Sequence, residues 1–528
     1  MTDPHPETRL ISSGPAIASR KGKTISPALR MAILSISNGV RLVSQIVVLP
    51  VLARLLSPSD FGAIGLVVPF LLVINIISEM GLGSALVRGE FAQKELESTI
   101  WWISVALGLT LMVAFILGAG SLRAFLGNTV PLPVFEWLGV VLLLSCLCTV
   151  PTACIQRRGD ALAFSASDLL TSLASALVAF WMAFRGYGIY ALVGQQLTIW
   201  IAKTCILLVT ARFVPQFSFN LKGLGAAFRF GLPLSGANLV DYFSRTIDNL
   251  IVGRVLGTAS LGWYSLAYQV MRIPDAIIAG PIAFTIFPAI DGMQSDRRRV
   301  GAAYLAMIEC LLTLAVPILF GLSATADIIV EILLGAKWTE TGLLLAILAP
   351  AGALQCLVPA SYGILMGVGK THLQAVLALA LAGFVLAGVV LGLPGGLRFV
   401  AIGVLVGTAL GSITVVIATT RAVGVSLLAL GRAAAPPLLS GFVMWACVVT
   451  LRSELSFEER ILQLFPSVVA GALVYGVLAL IWVRPLLRRL AAVRNSGASD
   501  YHVDGSSMIV KGEHLVQDVG AGAVSTGA

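Results

Sequence analysis

Leu52-Ala53-Arg54-Leu55-Leu56 and Val252-Gly253-Arg254-Val255-Leu256 lie 200 residues apart. Each closes one long apolar run and opens the next. The match extends outward at the same offset: Asn38 and Gly62 recur as Asn238 and Gly262. A duplicated bundle of membrane helices, with the substrate site between its halves, is a recurrent transporter plan. The repeat therefore predicts an all-α polytopic membrane protein built from two related halves.

Composition supports that class. Hydrophobic residues make up 58% of the 528-residue chain and charged residues 12%, where a soluble domain carries about 25% charge. Crossing a bilayer takes about 20 apolar residues. Fourteen runs meet that need: 28–50, 61–83, 99–119, 132–153, 163–183, 188–210, 230–253, 261–288, 301–322, 342–364, 372–392, 398–420, 434–451 and 462–483. The first thirty residues are polar and basic and show neither the apolar core nor the cleavage site of a signal peptide.

Loop charge sets the orientation. With the N-terminus inside, inner segments hold 22 Lys and Arg near the spans, Arg297-Arg298-Arg299 among them, against eight in outer loops. That bias obeys the positive-inside rule and places both termini in the cytoplasm. The net charge of +9 is thus dispersed over short inner loops, which excludes a nucleic-acid footprint.

The expected organisation is a basic cytoplasmic tail (1–27), a six-helix lobe (28–210), a cytoplasmic linker (211–229), a second six-helix lobe (230–420), two additional transmembrane helices (434–483) and a polar, disordered cytoplasmic tail (484–528). Loops are too short for a soluble catalytic domain, so no enzyme activity is expected. In the longest outer loop, 323–341, the stretch Asp327 to Gly335 reads as a short helix lying at the interface.

Charges inside spans cost several kcal/mol unless paired or hydrated, so they face a bundle interior or a water cavity. Span 7 carries Asp241, Arg245 and Asp248 at i, i+4 and i+7, on one helix face. Span 1 carries Asn38, Arg41 and Gln45, also on one face. At the 200-residue offset Arg41 lies opposite Asp241, and Gln45 opposite Arg245. One reading is a polar cavity lined by corresponding helices, with Asp241 or Asp248 as coupling charges. The bland alternative is pairing of the three charges within their own helix. Lys203 has no carboxylate on its own span, which makes it an anion-site candidate. Pro274, Pro281 and Pro288 fall at seven-residue spacing on span 8, where each removes a backbone hydrogen bond and permits a gating bend.

Two motifs carry no chemistry. Gly363 to Thr371 resembles a P-loop, but Ile364 stands where the pattern needs glycine and the segment follows an apolar helix. His5, His372, His502 and His514 form no cluster. The seven cysteines lack metal-ligand spacing and read as small packing residues. No cofactor or metal is expected.

Several ordered motifs resemble the polysaccharide-transport family of O-antigen and exopolysaccharide flippases, within the multidrug, oligosaccharidyl-lipid and polysaccharide exporter superfamily. They are Leu52-Ala-Arg-Leu-Leu-Ser-Pro-Ser-Asp-Phe-Gly62, Glu79-Met-Gly-Leu-Gly-Ser-Ala-Leu-Val87, Gln156-Arg157-Arg158, Ala191 to Gln196, Phe230-Gly-Leu-Pro233, Ser244 to Arg254, Leu261 to Tyr268, Phe287-Pro288-Ala289 and Gly335-Ala-Lys-Trp338. The resemblance implies two six-helix lobes around a cavity, and a substrate of sugar repeat units on polyprenyl pyrophosphate, passed between leaflets without a cofactor. Partners would be that lipid-linked oligosaccharide, the bilayer, and polysaccharide polymerase and export machinery. Arginine suits a pyrophosphate through bidentate hydrogen bonds, so Asn38, Arg41, Gln45, Lys203, Asn238 and Arg245 are the substrate-binding candidates. A cation-coupled drug antiporter and a peptidoglycan-precursor flippase share this architecture. A membrane polymerase would need a larger outer loop.

Overall fold

The computed structural model describes residues 47–79, 81–87, 94–217, 224–291, 297–454 and 460–498. Among these residues every regular element is helical. The first described helix, α1, covers 47–55. It is followed by α2 (Pro58–Glu79), α3 (Leu82–Val87), α4 (Lys94–Phe125), α5 (Leu132–Arg158), α6 (Ala161–Phe184), α7 (Ile189–Ala211) and α8 (Leu224–Leu256). Then come α9 (Thr258–Asp291), α10 (Arg297–Leu334), α11 (Thr339–Gln355), α12 (Leu357–Gly367), α13 (Thr371–Gly392), α14 (Leu397–Ala422), α15 (Leu427–Glu454) and α16 (Arg460–Ala498).

Each expected span from the second to the fourteenth falls on these helices; the first lies largely outside the described residues. Eleven of the described helices are long and apolar enough to cross a membrane, so the chain is a multi-pass membrane protein. α8 carries Arg229, Asp241, Arg245, Asp248 and Arg254 along its length. The total of fourteen rests on the sequence alone.

Local chemistry explains the helix ends. Ser57 and Asp60 form a reciprocal cap at the start of α2. The Ser57 N–H and hydroxyl donate to the Asp60 carboxylate at 2.9 and 2.7 Å, and the Asp60 N–H donates back to Ser57 Oγ at 3.2 Å. α5 begins behind Pro131 and stops at Gly159, whose φ of 64° only glycine adopts readily. Asp160 then caps α6 by accepting the Ala163 N–H at 3.0 Å.

Two stretches depart from expectation. Asp327 to Leu334 is no separate interfacial helix: α10 runs unbroken from Arg297 to Leu334, 38 residues with Pro317 inside. No glycine or proline separates the apolar span from this extension, so the helix continues. α16 likewise extends to Ala498, so the segment 484–498, read as disordered tail, is helical.

One apolar cluster joins the two halves of the sequence. It includes Leu66, Val134 and Leu138 from the first half and Tyr264, Leu319 and Leu348 from the second. Close approach relies on small residues, as membrane helices require when no water drives burial. α13 and α14 meet at Gly388 and Gly403, where a methyl group on either would overlap the other's carbonyl oxygen.

Candidate functional site

The loops separate into two faces. On one, Arg54 reaches Leu333, Arg254 lies beside Gly127, Asp60 lies beside Gly188, Arg398 pairs with Glu340 and Arg452 pairs with Asp327. All belong to loops expected outside, and this is termed the outer face. On the other, Glu97 pairs with Arg157, the Gln216 N–H donates to Ser98 Oγ at 3.2 Å, and Lys370 donates to the Ala422 carbonyl at 3.1 Å. All lie at segments expected inside.

At the outer face α2 and α9 pack together through the repeat-related pair Gly62 and Gly262. A methyl group on Gly62 would overlap the carbonyl oxygen of Thr258, and one on Gly262 would overlap that of Pro58. Residues 58 and 258 are themselves 200 apart, so the contact is reciprocal. Around it, Arg54 Nε donates to the Leu333 carbonyl at 3.0 Å and its Nη2 to Ile332. Lys337 Nζ donates to the carbonyls of Arg54, at 2.9 Å, and Leu56. The Trp338 indole N–H donates to the Ala53 carbonyl at 2.8 Å, and its ring meets Phe61 edge-on at 5.4 Å. Arg254 takes the matching place in the other half: its Nη1 lies 3.5 Å from where a methyl group on Gly127 would sit, at the end of α4.

At the inner face the first and second halves also touch. Gly81, with φ +65°, separates α2 from α3 and lies against the backbone of Gly231 on α8. Next to it, Arg157 Nη2 pairs with Glu97 at 2.6 Å, and Arg157 Nη1 donates to the Leu86 carbonyl at 3.5 Å. The Glu97 side chain is 8% exposed, so burial of this carboxylate depends on Arg157. Sequence reasoning missed the pair, although Gln156-Arg157-Arg158 was among the motifs of resemblance; Glu97 lies sixty residues away and belongs to no motif.

The candidate binding residues occupy several places. Asn38, Arg41 and Gln45 lie outside the described residues, as do the side chains of Asp241, Arg245, Pro281 and Pro288. Asn238 is exposed on α8, and Pro274 is buried on α9. α9 runs as one helix through all three prolines. Lys203 on α7 is not without a carboxylate: its Nζ is 3.2 Å from Asp168 Oδ1 on α6 and 5.8 Å from the centre of the Phe164 ring. Its own span holds no carboxylate, as expected, and the partner comes from the neighbouring helix. Asp248 is buried and accepts from the Tyr264 hydroxyl at 2.9 Å and from the Asn249 N–H at 2.8 Å. Its neighbour across the α8–α9 contact is thus a phenol.

The P-loop lookalike connects two helices, α12 and α13, and lines a cavity of about 460 Å³ with Val300, Ala422 and Val423 on the inner face. All seven cysteines are free; Cys205 and Cys447 are exposed rather than packed, because they sit on outward-facing stripes of α7 and α15. Among the described residues no group of His, Cys, Asp and Glu is arranged to hold a metal ion.

In fold the chain is similar to lipid II flippase MurJ in an inward closed conformation: TM-score 0.70 at 13% identity, covering 87% of this chain and 100% of that one. It is also similar to an inward-facing multidrug resistance MATE family transporter of the MOP superfamily, with TM-score 0.58 at 17% identity, over 76% of this chain and 98% of that one. In sequence it is 26% identical to the succinoglycan biosynthesis transport protein ExoT of Rhizobium meliloti over 483 residues, 89% of this chain and 95% of that protein. It is 25% identical to the lipopolysaccharide biosynthesis protein WzxC of Escherichia coli over 351 residues, 64% of this chain and 68% of that protein. The profile of the polysaccharide biosynthesis protein family matches residues 51–342, over half of the chain, and the chain belongs to that family.

Proposed function

We propose that this protein flips polyprenyl-pyrophosphate-linked oligosaccharide repeat units from the cytoplasmic to the periplasmic leaflet of a bacterial inner membrane, supplying polysaccharide biosynthesis. The observation that carries this reading is family membership together with likeness to a transport protein of succinoglycan biosynthesis over nearly its whole length. The chemistry agrees. A pyrophosphate cannot enter hydrocarbon unaided, and an oligosaccharide needs a hydrated path while the lipid tail stays in the bilayer.

In this reading residues 28–210 and 230–420 form two lobes that rock about a midplane site, 434–483 add two flanking helices, and both termini are cytoplasmic. Arg41 and Arg245 hold the pyrophosphate through paired N–H groups, with Lys203 as a further cation. Asn38, Gln45 and Asn238 bind sugar hydroxyls or phosphate oxygens. Asp241 or Asp248 couples the step to a cation or serves structure. A bend at Pro274, Pro281 or Pro288 gates the path. Polysaccharide polymerase and export machinery receive the flipped unit.

Depletion of the protein should accumulate a lipid-linked oligosaccharide in the cytoplasmic leaflet while lipid-linked sugar synthesis continues. Unchanged lipid-linked intermediates and unchanged polysaccharide on depletion would overturn the reading. Arg41→Ala should cut export with the protein still inserted and abundant, and Arg41→Lys should restore only part of it, since a point charge replaces a bidentate fork.

A further inference from the structure

Among the described residues, the outer contact between the two halves differs in kind from the inner one. At the inner face two glycine backbones, Gly81 and Gly231, simply meet. At the outer face two helix C-termini exchange donors. The last carbonyls of an α-helix have no partner inside the helix and carry its negative dipole end. Leu333 and Ile332, at the end of α10, receive the guanidinium of Arg54, in the last turn of α1. Ala53, Arg54 and Leu56, at the end of α1, receive the indole N–H of Trp338 and the ammonium of Lys337, which follow α10. Each helix end is thus capped by side chains from the far half of the sequence.

We propose that this exchange of Arg54, Lys337 and Trp338 is a latch that holds the outer gate shut and must be released for outward opening. The proposal rests on the alternating-access reading above. Three features suit a latch better than a permanent brace. The acceptors are helix-end carbonyls, which water satisfies once the halves part. Arg54 and Lys337 are exposed, so their charges rehydrate without crossing an apolar layer. Beneath them, backbone meets backbone at the Gly62–Gly262 crossing, so neither glycine has a side chain to withdraw when the helices part there.

The test is a distance measurement across the outer face. Spin labels are placed at Tyr187→Cys, in the outer loop before α7, and Pro394→Cys, in the outer loop before α14. The exposed native cysteines are replaced by Cys205→Ser and Cys447→Ser, and the full chain is read in lipid nanodiscs without substrate. Loss of charge-assisted bonds in Arg54→Gln with Lys337→Gln should raise the ratio of long to short distances by roughly tenfold or more. Trp338→Phe, which keeps the ring against Phe61 and loses only the donor, should raise it less. Arg54→Lys should lie between wild type and the double variant. A wild-type distribution in the double variant overturns the latch. Should that variant fail to accumulate in the membrane, an unchanged distribution in Trp338→Phe overturns it instead. The measurement carries no substrate, so it is independent of what is transported: depletion that leaves lipid-linked intermediates unchanged would remove the flippase reading and leave the latch standing.

Discussion

Gly62 and Gly262, 200 residues apart in the sequence, meet across the α2–α9 contact, each against the backbone at the start of the other's helix. The pair is the geometric signature of a pseudo-two-fold relation, since 62 faces 258 while 262 faces 58. Gly62→Ala or Gly262→Ala introduces a methyl group that overlaps backbone, so the helices must shift. Each is expected to cost about 1–3 kcal/mol. Because both changes force apart one interface, the double variant should cost less than the sum. Thermal unfolding of the purified protein in detergent reads all three; full additivity would mean the two glycines act separately.

Glu97→Gln should be among the most damaging inner-face changes, because it leaves the Arg157 guanidinium next to a buried amide. Breaking a buried pair costs about 3–5 kcal/mol. Glu97→Gln with Arg157→Gln should be milder than Glu97→Gln alone. Membrane abundance and melting temperature check the order, and a double variant worse than both singles would refute the pairing.

Tyr264→Phe removes the hydroxyl that donates to Asp248 and should destabilise by about 1–3 kcal/mol. If Asp248 is structural, Asp248→Asn added to Tyr264→Phe recovers part of that loss, since a neutral amide tolerates the missing donor better than a carboxylate. Export then follows protein abundance in every variant. A folded, abundant Asp248→Asn protein without export would instead assign Asp248 to coupling.

Lys203 and Asp168 separate a binding role from a pairing role. The pair lies within two membrane spans and is about a quarter exposed on each side, so losing one member leaves the other charge unpaired there and should lower stability unless water reaches it. Lys203→Met should lower export if the ammonium meets substrate, whereas Asp168→Asn should leave export near wild type. Equal losses in both variants would make the pair purely structural. Export of polysaccharide per amount of inserted protein is the measurement.

Topology has a direct check. Reporter fusions after residues 160 and 430 should read cytoplasmic, and those near 335 and 455 periplasmic. A periplasmic signal after 295, beside Arg297-Arg298-Arg299, would invert the orientation.

The membrane helices were legible because a bilayer demands long apolar runs, and the Gly-ended turns between them punctuate those runs clearly. The helices at 132–153 and 398–420 come out a few residues longer as α5 and α14. What reads poorly from a sequence is which helix meets which. Leu52 to Gly62 and Gly335 to Trp338 looked like two separate motifs, yet Trp338 donates to Ala53 and Lys337 to Leu56. Glu79 to Val87 and Phe230 to Pro233 are likewise two sides of one contact, through Gly81 and Gly231. Ser244 to Arg254 and Leu261 to Tyr268 are tied by Asp248 and Tyr264. The motifs that carried the resemblance are therefore largely contact pairs, and pairing across hundreds of residues leaves no local periodicity to read. The Lys203–Asp168 pair left no trace in the sequence for the same reason. The stretch 327–335 reads as a helix of its own because it lies in an outer loop beyond the span 301–322, but a helix ends where its backbone is interrupted, not where the hydrocarbon does.

Pro317 divides α10 into unequal arms. From it to Leu334 the helix rises 17 residues, about 25 Å at 1.5 Å per residue. Proline at that position removes one rung of the backbone ladder and makes it the weakest point against bending. A ten-degree swing there carries the tip, with the Ile332 and Leu333 carbonyls, through about 4 Å, farther than a guanidinium hydrogen bond stretches. On the latch reading α10 is a crank: a small change of angle at Pro317 would be enough to disengage its end from Arg54.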